Sequence, residues 1–228
     1  MAAKRLGVLG GSFNPVHLGH LRIAQFSREV FDLSQVLFVV ASAPPHKQAT
    51  DLIPFTHRYA MVSLATSGVA CFVPSLVELE PPTSPYSVET MAKLAHRFGT
   101  IGKDLYFLAG GDSLRDVAGW HRSETLLLSY NFIFAMRPGV PVSDFCAALP
   151  PMALDRVVDC RGLDLCGLKL RVAAELAEPK CRIFLVDAGA PDIAASQIRL
   201  LASVGQRIDH LVPDLVHEYI LKLKLYGE

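Results

Sequence analysis

The chain has 228 residues, 51% of them hydrophobic and 19% charged, and its 22 Lys and Arg balance its 22 Asp and Glu. Such a length and apolar content suit one generous domain with a large core, while a net charge of zero gives no overall field for holding DNA, RNA or an anionic membrane. No apolar run reaches the roughly 18 residues of a membrane span; the five cysteines, Cys71, Cys146, Cys160, Cys166 and Cys181, include no CxxC and sit in or beside apolar stretches, as reduced core thiols do.

In chain order, MAAKRLGVLGG runs from two cations into a short strand and then glycines, unlike an export signal, so a cytoplasmic location is expected. Six runs, RLGVLG, QVLFVVAS, ACFVPS, DLYFLAGG, NFIFAMR and CRIFLVDA, are apolar on both faces, as strands covered on both sides of a parallel sheet are. Helical periodicity fills several gaps between them: HLGHLRIAQFSREVF, FTHRYAMVSLATS and SVETMAKLAHRFG. The stretch from Pro138 to Pro179 is broken by prolines before the periodic LCGLKLRVAAELAE, and reads as a peripheral excursion. After the last strand, helices separate near Gly205 and Pro213, the second running to Gly227. This alternation predicts an α/β, Rossmann-like, doubly wound parallel sheet of about six strands. One domain spans 1–228: a core to residue 190, with the excursion near 138–179, and a helical part over 191–228.

The stretch GGSFNPVHLGH (10–20) joins the first strand to the first helix, at the sheet edge where such folds bind ligands. It contains neither G-x-G-x-x-G nor G-x-x-x-x-G-K-[ST], so the dinucleotide and P-loop solutions are unsupported. His17 and His20, three apart, share one helix face beside unpaired N–H groups of a first turn, where an anion is favoured. Gly19 would let a ligand approach the backbone. The plainer reading is a glycine turn followed by incidental imidazoles; the combination at this place in the fold favours a polyphosphate seat.

GSFNPVHLGH resembles the G-x-F-x-x-x-H-x-G-H signature of the adenylyl- and cytidylyltransferase superfamily. Farther on, APPHK (43–47), SPYSVETM (84–91), GGDSLRDVAGW (110–120) and IAASQIR (193–199) follow the order found in bacterial nicotinate-nucleotide adenylyltransferases, over nearly the whole chain except the excursion. The resemblance implies ATP at Gly10, Gly11, Ser12, Phe13, His17, His20, Gly110, Asp112, Ser196 and Arg199. It implies nicotinate mononucleotide at His46, Lys47, Tyr86, Ser87 and Trp120, and a catalytic set of His17, His20, Lys47 and Arg199. Several have plainer uses. Asp112 and Ser196 suit helix caps, Trp120 suits a core anchor, and His46 and Lys47 suit a solvated loop, with Pro44, Pro45 and Gly110 as borders of moving loops. Two positions depart from the family pattern: Ala194 stands where Ser is usual, and Asn14 where Asp is frequent.

The implied reaction is attack of the mononucleotide phosphate on the α-phosphorus of ATP, releasing pyrophosphate. It needs no protein nucleophile, only positioning and charge stabilisation. Mg²⁺ is expected on the ATP phosphates rather than on dedicated protein ligands. The expected partners are these small molecules, with no nucleic acid or membrane, and a homo-oligomer is possible. The rival readings are a sister transferase acting on nicotinamide mononucleotide, phosphopantetheine or a sugar phosphate, and a non-catalytic nucleotide-binding sensor.

Overall fold

A computed structural model describes residues 4–43, 52–136, 141–147 and 149–227. Seven strands form one parallel sheet: β1 (Leu6–Gly11), β2 (Gln35–Val40), β3 (Phe72–Ser75), β4 (Leu105–Gly110), β5 (Asn131–Ala135), β6 (Val157–Asp159) and β7 (Ile183–Val186). Their order is β3-β2-β1-β4-β5-β7-β6, every pairing parallel. The helices are α1 (Leu18–Phe31), α2 (Phe55–Thr66), α3 (Ser87–Phe98), α4 (Asp112–Asp116), α5 (Ser123–Ser129), α6 (Val142–Cys146), α7 (Pro151–Leu154), α8 (Leu165–Leu176), α9 (Ala195–Ser203) and α10 (Asp214–Leu223).

Alternation within each strand explains the unbroken apolar runs. Val36, Phe38, Tyr106, Leu108, Ile133, Phe184 and Val186 point into the core beneath α1, α2, α8, α9 and α10, which contribute Ile23, Met61, Val172, Ile198 and Val216. Their neighbours Leu37, Val39, Leu105, Phe107, Phe132, Ile183 and Leu185 enter a second core shared with α3 and α5, through Met91, Leu94 and Leu126. A strand buried on both faces has no polar face to show, so it lacks the apolar-polar alternation of a half-exposed strand.

Three expectations change. The sheet has a seventh strand, β6, inside the excursion, and Val158, Cys160, Leu168 and Val172 from that segment belong to the main core. Those three strand residues form the sheet edge, which is too short a run between prolines to leave a period. The last helix stops at Leu223 rather than Gly227, because Lys224 turns to φ 50° as its cap. Cys160 and Cys181 are buried as expected, burial pushing the Cys160 thiol up to about 11, whereas Cys166 is exposed on α8.

Both sheet edges are short: β6 has three residues, and the four of β3 include Pro74. No helix of the described residues is long and apolar enough to cross a membrane. The amino edge of β4 is set by Gly102, whose turn packs on the end of α5. A Cβ at Gly102 would lie 1.9 Å from the Ser129 carbonyl oxygen. Gly102→Ala must therefore move backbone and should destabilise the fold by about 1–3 kcal/mol, as overpacking does; a urea midpoint equal to that of the parent would contradict this close approach.

Candidate active site

The strand order turns between β1 and β4, one crossover set running outward on each side, and ligands of doubly wound sheets bind in the crevice at that point. Both strands end there in paired glycines, Gly10–Gly11 and Gly110–Gly111. Gly111 has a packing reason: it donates to the Ala135 carbonyl at 2.7 Å, and a Cβ would lie 3.2 Å from that oxygen and from the Met136 sulfur.

After β1 the chain makes a tight turn, with Phe13 at φ 47° and a cis Asn14–Pro15 bond. A left-handed conformation at a bulky residue is unfavourable by about 1–2 kcal/mol, and the surroundings hold it. The Phe13 ring is 2% exposed and covers Gly11, where a Cβ would come within 3.2 Å of it. It also meets His20 edge-on at 5.0 Å between centroids. The Phe13 side chain is thus a brace beneath an imidazole.

Arg58 fixes the same turn from α2. Its guanidinium, 2% exposed, donates to the carbonyls of Ser12 (2.8 Å), Ala41 (2.7 Å) and Ile53 (3.1 Å), tying the end of β1 to the end of β2. Glu78 holds the neighbouring Ser42 through its backbone N–H (2.9 Å) and hydroxyl (3.3 Å). Burial raises the Glu78 carboxyl above its usual value, opposed by the Ser42 donors, Thr90 and the Arg58 charge. Neither residue belongs to the implied set; the one signal of Arg58 in the sequence is a charge within an apolar helical stretch.

His17 caps α1 and His20 follows one turn later. Their rings lie 3.7 Å apart at 35°. The His17 N–H donates to His20 Nδ1 at 3.2 Å, so the neutral His20 ring carries its proton on Nε2. His17 is 8% exposed, its Nδ1 has no hydrogen-bond partner among the described residues, and burial lowers its pKa to about 4. Gly19 makes this stack possible: a Cβ there would sit 3.0 Å from His17 Nδ1 and 3.4 Å from the Pro191 carbonyl. The glycine therefore makes room for a histidine ring.

Two cavities flank the paired glycines. One, of about 450 Å³, is lined by Gly10, Gly11, Ser12, Tyr86, Ser87, Phe107 and Trp120. Trp120 stands edge-on to Phe107 at 5.6 Å, and Tyr86 stacks on His121 at 4.2 Å. Tyr86 and Ser87 begin α3, so the positive end of that helix opens onto the cavity. The other, of about 500 Å³, is lined by His17, His20, Gly110, Asp112, Asp192 and Ile193. Ser113 lines both.

The structure divides the remaining expected residues. Gly10, Gly11 and Ser12, expected beside ATP, line the cavity of Trp120. Arg199 lies against a third cavity of about 430 Å³, donating to the Asn14 carbonyl at 3.0 Å. Ser196 is exposed on α9 and is not its cap, since Ala194 occupies the cap position with no side-chain oxygen to offer. Asp112 is likewise the first residue of α4 and Gly111 its cap. His46 and Lys47, with Pro44 and Pro45, lie outside the described residues. Ser113, His121 and the stretch 190–193, absent from the implied set, join the cavity walls.

The cytidylyltransferase-like family model matches residues 8–210. A Geobacter sulfurreducens protein named "Probable nicotinate-nucleotide adenylyltransferase" is 36% identical over 233 residues, covering 98% of each chain. The chain belongs to the nicotinate-nucleotide adenylyltransferase family. A member from Thermomicrobium roseum is 35% identical over 97% of this chain and 91% of its own. The Plasmodium falciparum nicotinic acid mononucleotide adenylyltransferase solved with NaAD shares the fold, with a TM-score of 0.67 at 17% identity over 98% of this chain and 97% of its own.

The buried imidazole has a consequence for acid stability. His17 resists protonation in the folded chain down to about 4, against an ordinary 6.5. Its contribution is complete above pH 6.5 and is lost as pH falls toward 4, by at most about 1.4 kcal/mol per pH unit. His17→Asn should therefore lose less stability than the parent between pH 7 and pH 4.5; parallel urea midpoints for the two proteins would show that His17 is not the group responsible.

Proposed function

We propose that the protein transfers the adenylyl group of ATP to nicotinate mononucleotide, forming nicotinate adenine dinucleotide and pyrophosphate. The observation that carries this reading is the pair of cavities sharing Ser113 at the switch point, one aromatic, the other bearing two histidines and two carboxylates. Family membership supplies the reaction and the geometry supplies two adjoining seats.

In this reading ATP lies in the cavity of His17, His20 and Asp112. Asp112 accepts the ribose hydroxyls through its carboxyl oxygens. His20 donates through Nε2–H to phosphate oxygens and stabilises the charge that grows on them during transfer. Arg199 meets the outer phosphates with the N–H groups that Asn14 does not take. Nicotinate mononucleotide lies in the other cavity, its ring against Trp120 and its carboxylate at the start of α3, with Tyr86 and Ser87. His46 and Lys47 are proposed to grip its phosphate. The mononucleotide phosphate is already ionised, so the protein's task is to hold two anions in line.

Mg²⁺ is proposed to arrive on the ATP phosphates. Among the described residues no group of three or more His, Cys, Asp or Glu is arranged to hold a metal. The donors beside the phosphate seat are chiefly imidazole and guanidinium, which fits a hard cation bound mainly by phosphate and water. When bound, it would share the charge of the leaving pyrophosphate. Five unpaired thiols suit a reducing compartment, and a cytoplasmic location is proposed on that basis.

Incubation with ATP, Mg²⁺ and each candidate acceptor should yield nicotinate adenine dinucleotide and pyrophosphate from nicotinate mononucleotide. Turnover with nicotinamide mononucleotide or phosphopantetheine instead would move the assignment to a sister transferase. His20→Ala should lower kcat about 10²–10³-fold while the protein still folds, its melting temperature falling only by the loss of one capping bond. Trp120→Ala should raise KM for the mononucleotide roughly three- to tenfold and leave that for ATP in place; the opposite pattern would put the aromatic cavity on the ATP side. Ala194→Ser should stabilise the fold by about 1 kcal/mol by capping α9, and calorimetry should find ATP bound slightly more tightly.

A further inference from the structure

Arg58, Arg199 and Tyr226, from distant parts of the chain, converge on the turn after β1. Arg58 holds the Ser12 carbonyl, Arg199 Nη1 donates to the Asn14 carbonyl at 3.0 Å, and the Tyr226 hydroxyl donates to Asn14 Oδ1 at 3.1 Å. Asn14 is 2% exposed, so its side-chain amide has a defined setting.

Tyr226 reaches this place by an unusual path. After α10, Lys224 (φ 50°) and Tyr226 (φ 68°) both take left-handed backbone, which curls the tail back toward the sheet. Non-glycine residues keep that conformation only where their surroundings hold them. Leu225 donates to the Ile220 carbonyl at 3.0 Å, and Leu225 and Tyr226 pack on the main core. Burial raises the Tyr226 phenol above its usual range, while the charges of Arg199 and Arg58 oppose that shift, so both guanidinium groups act on this hydroxyl. Asn14, Arg199 and Tyr226 line one cavity.

Two of the bonds of Asn14 have different jobs. Its side-chain oxygen is taken by Tyr226, and its backbone carbonyl takes one N–H of Arg199, leaving the rest of a planar guanidinium for another partner. We propose that Tyr226 is a positioning residue of the transfer site: its hydroxyl holds Asn14 so that the Asn14 carbonyl holds Arg199 in the orientation in which its remaining N–H groups meet the ATP phosphates. This rests on the role given to Arg199 above, and makes docking of the tail a condition for an organised phosphate seat.

Tyr226→Phe in the full chain keeps the ring and its packing and removes the hydroxyl. It should lower kcat roughly tenfold and weaken ATP several-fold by calorimetry, the scale of one hydrogen bond, with KM for nicotinate mononucleotide unchanged and the melting temperature lowered only as far as the loss of that one buried hydrogen bond requires. In an Arg199→Ala background the same change should add no further loss, because the coupling runs through Arg199. Parent-like turnover and ATP affinity in Tyr226→Phe would overturn the proposal, as would a loss that persists undiminished without Arg199. If the parent itself makes no dinucleotide, the functional reading falls. ATP affinity across the same four proteins then decides: a defect that disappears in the Arg199→Ala background supports the positioning role, and equal affinities refute it.

Discussion

The site depends on a buried cation that bonds no carboxylate among the described residues. Arg58 sits under the sheet's carboxyl edge and spends its N–H groups on the carbonyls of Ser12, Ala41 and Ile53. A guanidinium taken out of water is tolerated only when its donors are satisfied, and the irregular backbone after β1 and β2 supplies the acceptors. Each needs the other: loop carbonyls without a strand partner are met by the arginine, and the arginine is kept buried by the loops. On that arrangement rest the left-handed Phe13, the His20 ring it braces, and His17 stacked beside it.

Burial then gives the two imidazoles different properties. His17, enclosed and held neutral, serves as a wall of fixed shape and protonation. His20, whose Nδ1 accepts the His17 N–H, offers Nε2–H as a donor of known tautomer. The pair is organised by a main-chain hydrogen bond and by the missing Cβ of Gly19, so its geometry is set before any nucleotide arrives. Preorganised donors of this kind need little rearrangement as charge develops.

Much of this was legible in the sequence. Residue types that carry chemistry, His17, His20, Asp112 and Trp120, stand after strands and line cavities at the sheet edge. Parallel strands buried on both faces leave long apolar runs, so five of the seven were visible as such, with β3 shorter but recognisable. What escaped notice has identifiable causes. Apart from the Arg58 bond to Ile53, Arg58, Glu78 and Tyr226 act on backbone or amide groups 17 to 212 positions away, and no local period encodes that. Strand β6 pairs with the edge that β7 offers, and its three residues are too few to leave a period. Phe13 matched a motif position, yet a motif does not say whether a ring faces ligand or core. Ser196 shows the converse: a hydroxyl near a helix start is no cap when the helix begins one residue earlier.

The two rims of the sheet bear on how the chain behaves at high concentration. An unpaired strand edge invites pairing with another molecule, and this sheet limits that invitation at both ends. Pro74 removes one N–H from β3, and β6 exposes only a three-residue margin. Cross-molecule ladders therefore have little to grow from, so a sheet with seven parallel strands can be present in quantity without templating fibrous association.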